Sequence, residues 1–186
     1  MEETSVDIIG IIVAAVLMFL VPFVLIADRN DDISQLIVQT ATSSFVDNVI
    51  KTGKITSQDY QNYIKDLQSS GNTYDLEIEI KILDENTSKK YTETNKQIGE
   101  NAYYSLFTTQ VEEKILKSSN QREDDDGADA LGVLNLKEGD IISVTAKNSS
   151  KTLSQTLKNI YYTISGDGMK IIVATGSGTI AVDGAN

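Results

Sequence analysis

The sequence predicts an α+β protein. An N-terminal transmembrane helix continues into an amphipathic helix, and a small antiparallel sheet with helices on one face follows. Three observations carry this expectation. Residues 8–27, IIGIIVAAVLMFLVPFVLIA, contain no charge. An apolar stripe at helical spacing occupies 33–49, and residues 74–82 alternate between apolar and charged side chains.

An α-helix rises about 1.5 Å per residue, so the apolar run reaches roughly 30 Å, the thickness of a bilayer's hydrocarbon core. A cleaved secretory signal would need a basic start and a shorter apolar core. The start here is MEETSVD, with Glu2, Glu3 and Asp7 and no Lys or Arg. Leu25 also stands where a cleavage site after Ala27 would want a small residue. The run therefore reads as an anchor. Pro22 lies inside it; lacking an N–H, it deprives the Met18 carbonyl of its helical partner, and a kink is expected. The positive-inside rule says little about orientation, because Arg29 is the only basic residue before Lys51.

Beyond residue 27 lie all 16 basic residues and 24 of the 27 acidic ones, a net charge of −8. Such a surface repels nucleic-acid phosphates and anionic headgroups, so nucleic acid is not an expected partner. There are no cysteines and no histidines. Disulfides, thiol nucleophiles, zinc sites built on Cys or His and Ser-His-Asp triads are thereby excluded.

After the polar stretch Asp28–Asp32, Ile33, Ile37, Ala41, Phe45 and Val49 recur every four residues, with Leu36 beside them. A four-residue spacing precesses by about 40° per step on a helix of 3.6 residues per turn. The stripe is therefore broad and winding, as expected if part of it meets its own domain and part meets something else. With no Pro or Gly between 28 and 52, the membrane helix is expected to continue to about residue 51. Three parts result: a tail and transmembrane helix at 1–27, an amphipathic joining helix at 28–52, and an α+β head at 53–186.

Gly53 ends the long helix. Thr56-Ser57-Gln58-Asp59 has the form of a capping box. Tyr60, Tyr63, Ile64 and Leu67 follow at helical spacing, and Gly71 stands where a C-terminal cap belongs. In the strand 74–82, Tyr74, Leu76, Ile78, Ile80 and Ile82 face a core, while Asp75, Glu77, Glu79 and Lys81 face water. A polar connection spans 84–99, with a weak strand near Tyr91. Tyr103, Leu106, Phe107, Val111 and Ile115 suggest one helix. A loop covers 118–130, Lys137–Asp140 turns into a strand at 142–147, and Leu153, Leu157 and Ile160 mark a short helix. Gly166-Asp167-Gly168 turns into MKIIVA, and Gly176-Ser177-Gly178 is expected to join that strand to TIAV as a hairpin.

No catalytic, cofactor-binding or metal-binding residues emerge. Glu123-Asp124-Asp125-Asp126-Gly127 invites a calcium reading, but an EF-hand using Gly127 needs acids at 122 and 133, where Arg122 and Val133 stand. GDGMK at 166–170 lacks the GxxxxGK[ST] order of a phosphate loop. Asn86-Thr87-Ser88 and Asn148-Ser149-Ser150 match the short glycosylation sequon. The chain is expected not to be an enzyme, and no small-molecule substrate is evident.

An apolar helix running into an amphipathic helix and an α+β head resembles the plan of type IV pilins and pseudopilins, and Asp7 and Pro22 resemble features of their helices. No basic leader ending in Gly precedes the run, so processing by a prepilin peptidase is not expected. The segment DDISQLIVQTATSSFVDNVIKTGKITSQDYQNYIKDLQSSGNTYDLEIE (31–79) and the segment GDIISVTAKNSSKTLSQTL (139–157) resemble a further group. These are the TadE-like small membrane proteins of tight-adherence (Tad) pilus-type clusters in Gram-positive, Clostridia-type bacteria. The resemblance implies a single-pass protein of the cell membrane with an extracytoplasmic head. It also implies a role as minor pilin or assembly subunit in a pilus or secretion apparatus. Its partners would be the lipid bilayer and either copies of itself or other membrane proteins of that apparatus. The competing expectation is an extracytoplasmic binding or sensing module, responsive to a cation through the acidic loop 123–129.

Overall fold

The computed structural model describes residues 2–83, 103–116, 132–152, 156 and 171–184. Helix α1 runs unbroken from Glu2 to Thr52, through Pro22 and through the polar stretch 28–32. At about 1.5 Å per residue it is roughly 76 Å long. It is followed by β1 (Lys54–Thr56), α2 (Ser57–Gln68), β2 (Tyr74–Leu83), β3 (Tyr103–Phe107), α3 (Thr108–Leu116), β4 (Val133–Asn135), β5 (Ile141–Asn148) and β6 (Val173–Thr179).

The strands form two antiparallel sheets. β1 pairs with β4, and the larger sheet has the order β3-β2-β5-β6. The alternation in β2 does what its pattern dictates. Ile78 and Ile80 are buried, whereas Asp75, Glu77 and Lys81 are exposed. Opposite them, Ile142, Val144 and Ala146 of β5 and Ala174 of β6 fill the same face. The helices cover that face, and the other carries Ser105, Ser143, Thr145, Thr175 and Ser177 among the acidic residues.

The second half of α1 lies in this core. Val38, Ala41, Phe45, Val46 and Val49 are buried together with the sheet's inner residues. Gly176 and Gly178 let the helix come close. A Cβ at Gly178 would lie 2.3 Å from Ile50 Cδ1, and one at Gly176 would lie 3.1 Å from Val46 Cγ2. These glycines stand inside β6, in register with Val144 and Ile142. The hairpin expected at 176–178 is therefore not formed. Glycine marks a close backbone approach here, a signal that sequence alone does not separate from a turn.

Helix α2 packs across α1, where the Phe45 and Tyr63 rings stack with centroids 4.6 Å apart. Its start is the expected one: the Thr56 hydroxyl accepts from the Asp59 N–H at 3.0 Å and donates to Asp59 Oδ2 at 2.6 Å. Ser69 is the C-cap, and Gly71 follows two residues later, its N–H bonded to the Gln68 carbonyl at 3.0 Å. Residues 103–116 depart from the single helix expected there. Tyr103–Phe107 form β3, with Leu106 opposite Ile80, and only Thr108–Leu116 are helical. Aromatic residues favour a pleated surface, and β2 offers an open partner edge. The strand at 141–148 agrees with expectation, whereas β1 and β4 are additions. The polar connection 84–99, the loop 118–130, the helix expected around Leu157 (Thr156 apart) and the turn at 166–168 lie outside the described residues.

Gly53 closes α1 with φ of +65°, and its carbonyl accepts from the Leu136 N–H at 2.7 Å. An added Cβ would stand 2.1 Å from the Val182 carbonyl oxygen and 2.5 Å from the Gly184 nitrogen, both backbone atoms. Gly53→Ala therefore combines an unfavourable φ with a backbone clash. We expect it to lower the unfolding free energy of the detergent-solubilised chain by about 3 kcal/mol in denaturant titrations. The exposed Gly71, with nothing within 4 Å of its Cβ position, is the comparison: Gly71→Ala costs about 1 kcal/mol.

Candidate interaction surface

α1 divides into two surfaces along its length. The large apolar side chains from Val6 to Ile26 are exposed apart from Leu20 and Val24, which are half-buried. No residue of the most apolar stretch of this helix is buried, and the stretch is long and apolar enough to cross a membrane. Burial begins at Ala27, the last residue of the apolar run, and continues through Asp31, Ser34, Val38 and Ala41 on one side of the helix.

That buried side is tied to the head by polar contacts as well as packing. The Thr152 hydroxyl donates to Asp31 Oδ2 at 2.8 Å, and Ser34 Oγ donates to the Ser70 carbonyl at 3.1 Å. Gln35 brackets Val173: its Nε2 donates to the Val173 carbonyl at 2.8 Å, and its Oε1 accepts from the Val173 N–H at 3.2 Å. Gln39 Nε2 donates to the Thr175 carbonyl at 3.3 Å. Among the described residues β6 lies at the edge of its sheet, and two glutamines of α1 occupy backbone groups on its outer side.

On its other side, α1 keeps an apolar face bare within the head. Ile33 is 50% exposed and Leu36 67% exposed, while Ile37 is half-buried. The winding stripe therefore splits as its precession implies: Ala41, Phe45 and Val49 enter the core, and Ile33 and Leu36 do not. Between α1 and α2 runs a groove of about 380 Å³ lined by Leu36, Ile37, Thr40, Ala41, Ser44, Asp66 and Ser69. A smaller hollow of about 150 Å³ continues it past Asn48, Asn62 and Tyr63. The groove is apolar at its Leu36 end and polar at its Asp66 end, so it suits a side chain or a helix edge better than a charged ligand.

Among the described residues, no group of three or more Asp or Glu side chains is placed to hold a metal ion. The acidic run 123–129 lies outside the described residues. Two tyrosines have raised pKa values. Burial pushes the Tyr60 hydroxyl up, and its donation to the Glu112 carboxylate and that carboxylate's charge push it further. Burial also raises Tyr63, partly offset by its hydrogen bond with Thr42. Both bonds join elements, Tyr60 linking α2 to α3 and Tyr63 linking α2 to α1. The sequence marks these tyrosines only as apolar helix positions; the partners that fix their hydroxyls are 52 and 21 residues away.

No protein-family model, curated protein or solved structure matches this chain.

The tyrosines generate a pH dependence with a definite sign. A phenol ionises near pH 10 in the unfolded chain and higher in the folded one. Their neutral form therefore stabilises the head fully below about pH 10, and that stability declines as pH rises above it. Chemical denaturation between neutral pH and strongly alkaline pH is expected to show this decline. Tyr60→Phe, which cannot ionise, is expected to flatten it; an unchanged slope would assign the decline to other groups.

Proposed function

We propose that this chain is a non-enzymatic, single-pass membrane component of a type IV or Tad-like pilus or secretion apparatus. In this reading it is a minor pilin or assembly subunit with an extracytoplasmic head, and it acts through helix packing and head contacts. The observation that carries the reading is α1 itself. It is one 51-residue helix with an apolar, uncovered first half and a second half built into the core of a folded head. A simple tether needs no such continuity, since a flexible linker would hold a head at a membrane equally well. A helix fixed rigidly in its head delivers its uncovered face to a partner at a set angle and height.

The bare Ile33–Leu36 face supports the same reading, because it extends the uncovered surface past the apolar span and into the head. The resemblance of residues 31–79 and 139–157 to TadE-like proteins suggests the class of apparatus.

The absence of native cysteine makes a crosslinking test clean. Ala14→Cys and Ala15→Cys probe the span, and Leu36→Cys probes the bare face of the head. In cells, oxidation or a short bifunctional reagent is expected to give adducts with a second copy or with other membrane proteins at all three positions. Lys54→Cys, exposed beyond the far end of α1, serves as the position expected to stay free. A chain that stays monomeric at all four positions argues against assembly through α1.

A further inference from the structure

We infer that the groove between α1 and α2 receives a helix of a second membrane protein, one that leaves the same bilayer beside α1. That helix carries an acidic residue at the level of Arg29, apolar residues against Ile33 and Leu36, and a basic residue at the level of Asp66. This rests on the assembly reading above and adds the chemistry of the partner. From Ala15, the positions Phe19, Pro22 and Ile26 follow at steps of four, three and four, and all are exposed. Arg29, Ile33, Leu36 and Thr40 continue the same alternation and are exposed as well.

Alternating steps of three and four mark a seam of about 3.5 residues per turn, the period along which two helices pack as a left-handed pair. Within the apolar run any choice of positions would be apolar. The informative part is 29–40, where the seam stays on the side of α1 that the head leaves uncovered. A helix packed on this seam in the bilayer therefore runs on beside the head and into the groove. Thr40, Ala41 and Ser44 line the groove there, and their small side chains let a helix come close.

Two opposite charges bracket the apolar part of this surface. Arg29 stands at its lower end, and Asp66 of α2 lines the groove beside Thr40 and Ala41, roughly 17 Å further along α1. Among the described residues, neither takes part in an ion pair. Two copies at equal height in one bilayer would set Arg29 against Arg29 and Asp66 beside Asp66, so like charges oppose self-pairing on this face. A helix with its acid near the bilayer and its base about 11 residues beyond meets both charges with the opposite sign.

The chain has no cysteine, so Thr40→Cys and Ser44→Cys each direct one benzophenone-maleimide to the groove. Ala15→Cys directs it to the span, and Lys147→Cys, exposed on the face of the sheet away from α1, is the comparison. Each full-length variant is labelled in membranes of the cells that make it and irradiated, and the crosslinked peptide is sequenced. From the groove, the expected adduct is with another membrane protein, at a peptide about 13 residues past an apolar run, as Thr40 is past Ala27. That peptide should hold Lys or Arg within one turn, and Asp or Glu about 11 residues nearer the run. Asp66 is exposed on α2, so its substitution leaves the core intact. Asp66→Lys is expected to lower the yield about fivefold and Asp66→Asn about twofold, as for an exposed ion pair reversed or removed. Reversing the partner's basic residue should restore the yield with Asp66→Lys. A second copy as the adduct, a peptide without those charges, or a yield unmoved by Asp66→Lys would overturn the inference. Groove positions as silent as Lys147→Cys would overturn it too, and a continued reaction at Ala15→Cys would then leave assembly through the span standing. Silence at Ala15→Cys as well would remove the assembly reading itself.

Discussion

The fold depends on one packing arrangement, the second half of α1 laid over β5 and β6. The hydrophobic effect drives it, since Val38, Val46 and Val49 are lost from water together with Ile142, Val144 and Ala174. The glycines of β6 set its closeness: a side chain at 178 would meet Ile50 well inside van der Waals distance. Polar groups set its register. Gln35 and Gln39 can bond Val173 and Thr175 only if the helix runs parallel to β6 at one offset. Burial alone would allow the helix to slide by a turn; the two glutamines and the Asp31–Thr152 bond do not.

That fixed offset gives a single helix two different surfaces. Its first half has the composition of a membrane span and no cover. Its second half carries charged and hydroxyl groups outward and a valine-rich face inward. Because no break intervenes at 28–32, the angle between span and head is set by α1 and not by a linker. A rigid joint has a cost, since the head cannot reorient to meet a distant ligand. It has a matching benefit for assembly, where partners must meet at a repeatable geometry.

How far the sequence reveals this differs from element to element. β2 was fully legible, because its period of two was unbroken and its buried and exposed faces had opposite chemistry. The continuity of α1 and the cap of α2 were legible for equally local reasons: no helix breaker between 28 and 52, and a capping residue at Thr56 with its partner three residues on. Failures arose where local signals are shared by different structures. Gly176 and Gly178 carry the same letters whether they turn a chain or admit a helix. Tyr103 to Ile115 places apolar residues at spacings that suit a helix, yet its first five residues join the edge of β2. β1 and β4 are three residues each, too short to show any period, and exist because Gly53 and Leu136 bring them together. The bare face was half-legible: the precession of the stripe implied a division, but which residues fell on each side depended on where α2 packs.

The surface that emerges is defined by position more than by reactive groups. An exposed leucine or isoleucine on a soluble head is unremarkable by itself. Ile33 and Leu36 are distinctive because of where α1 puts them, within three turns of the end of the apolar run and opposite the side that the head occupies. The packing that buries Ala41 and Phe45 also turns these two residues outward, so the core and the bare face are consequences of one helix orientation. A change that rotated α1 on β6 would disturb both together. For that reason the glutamine clamps and the two glycines of β6, though far from the bare face, control what it presents.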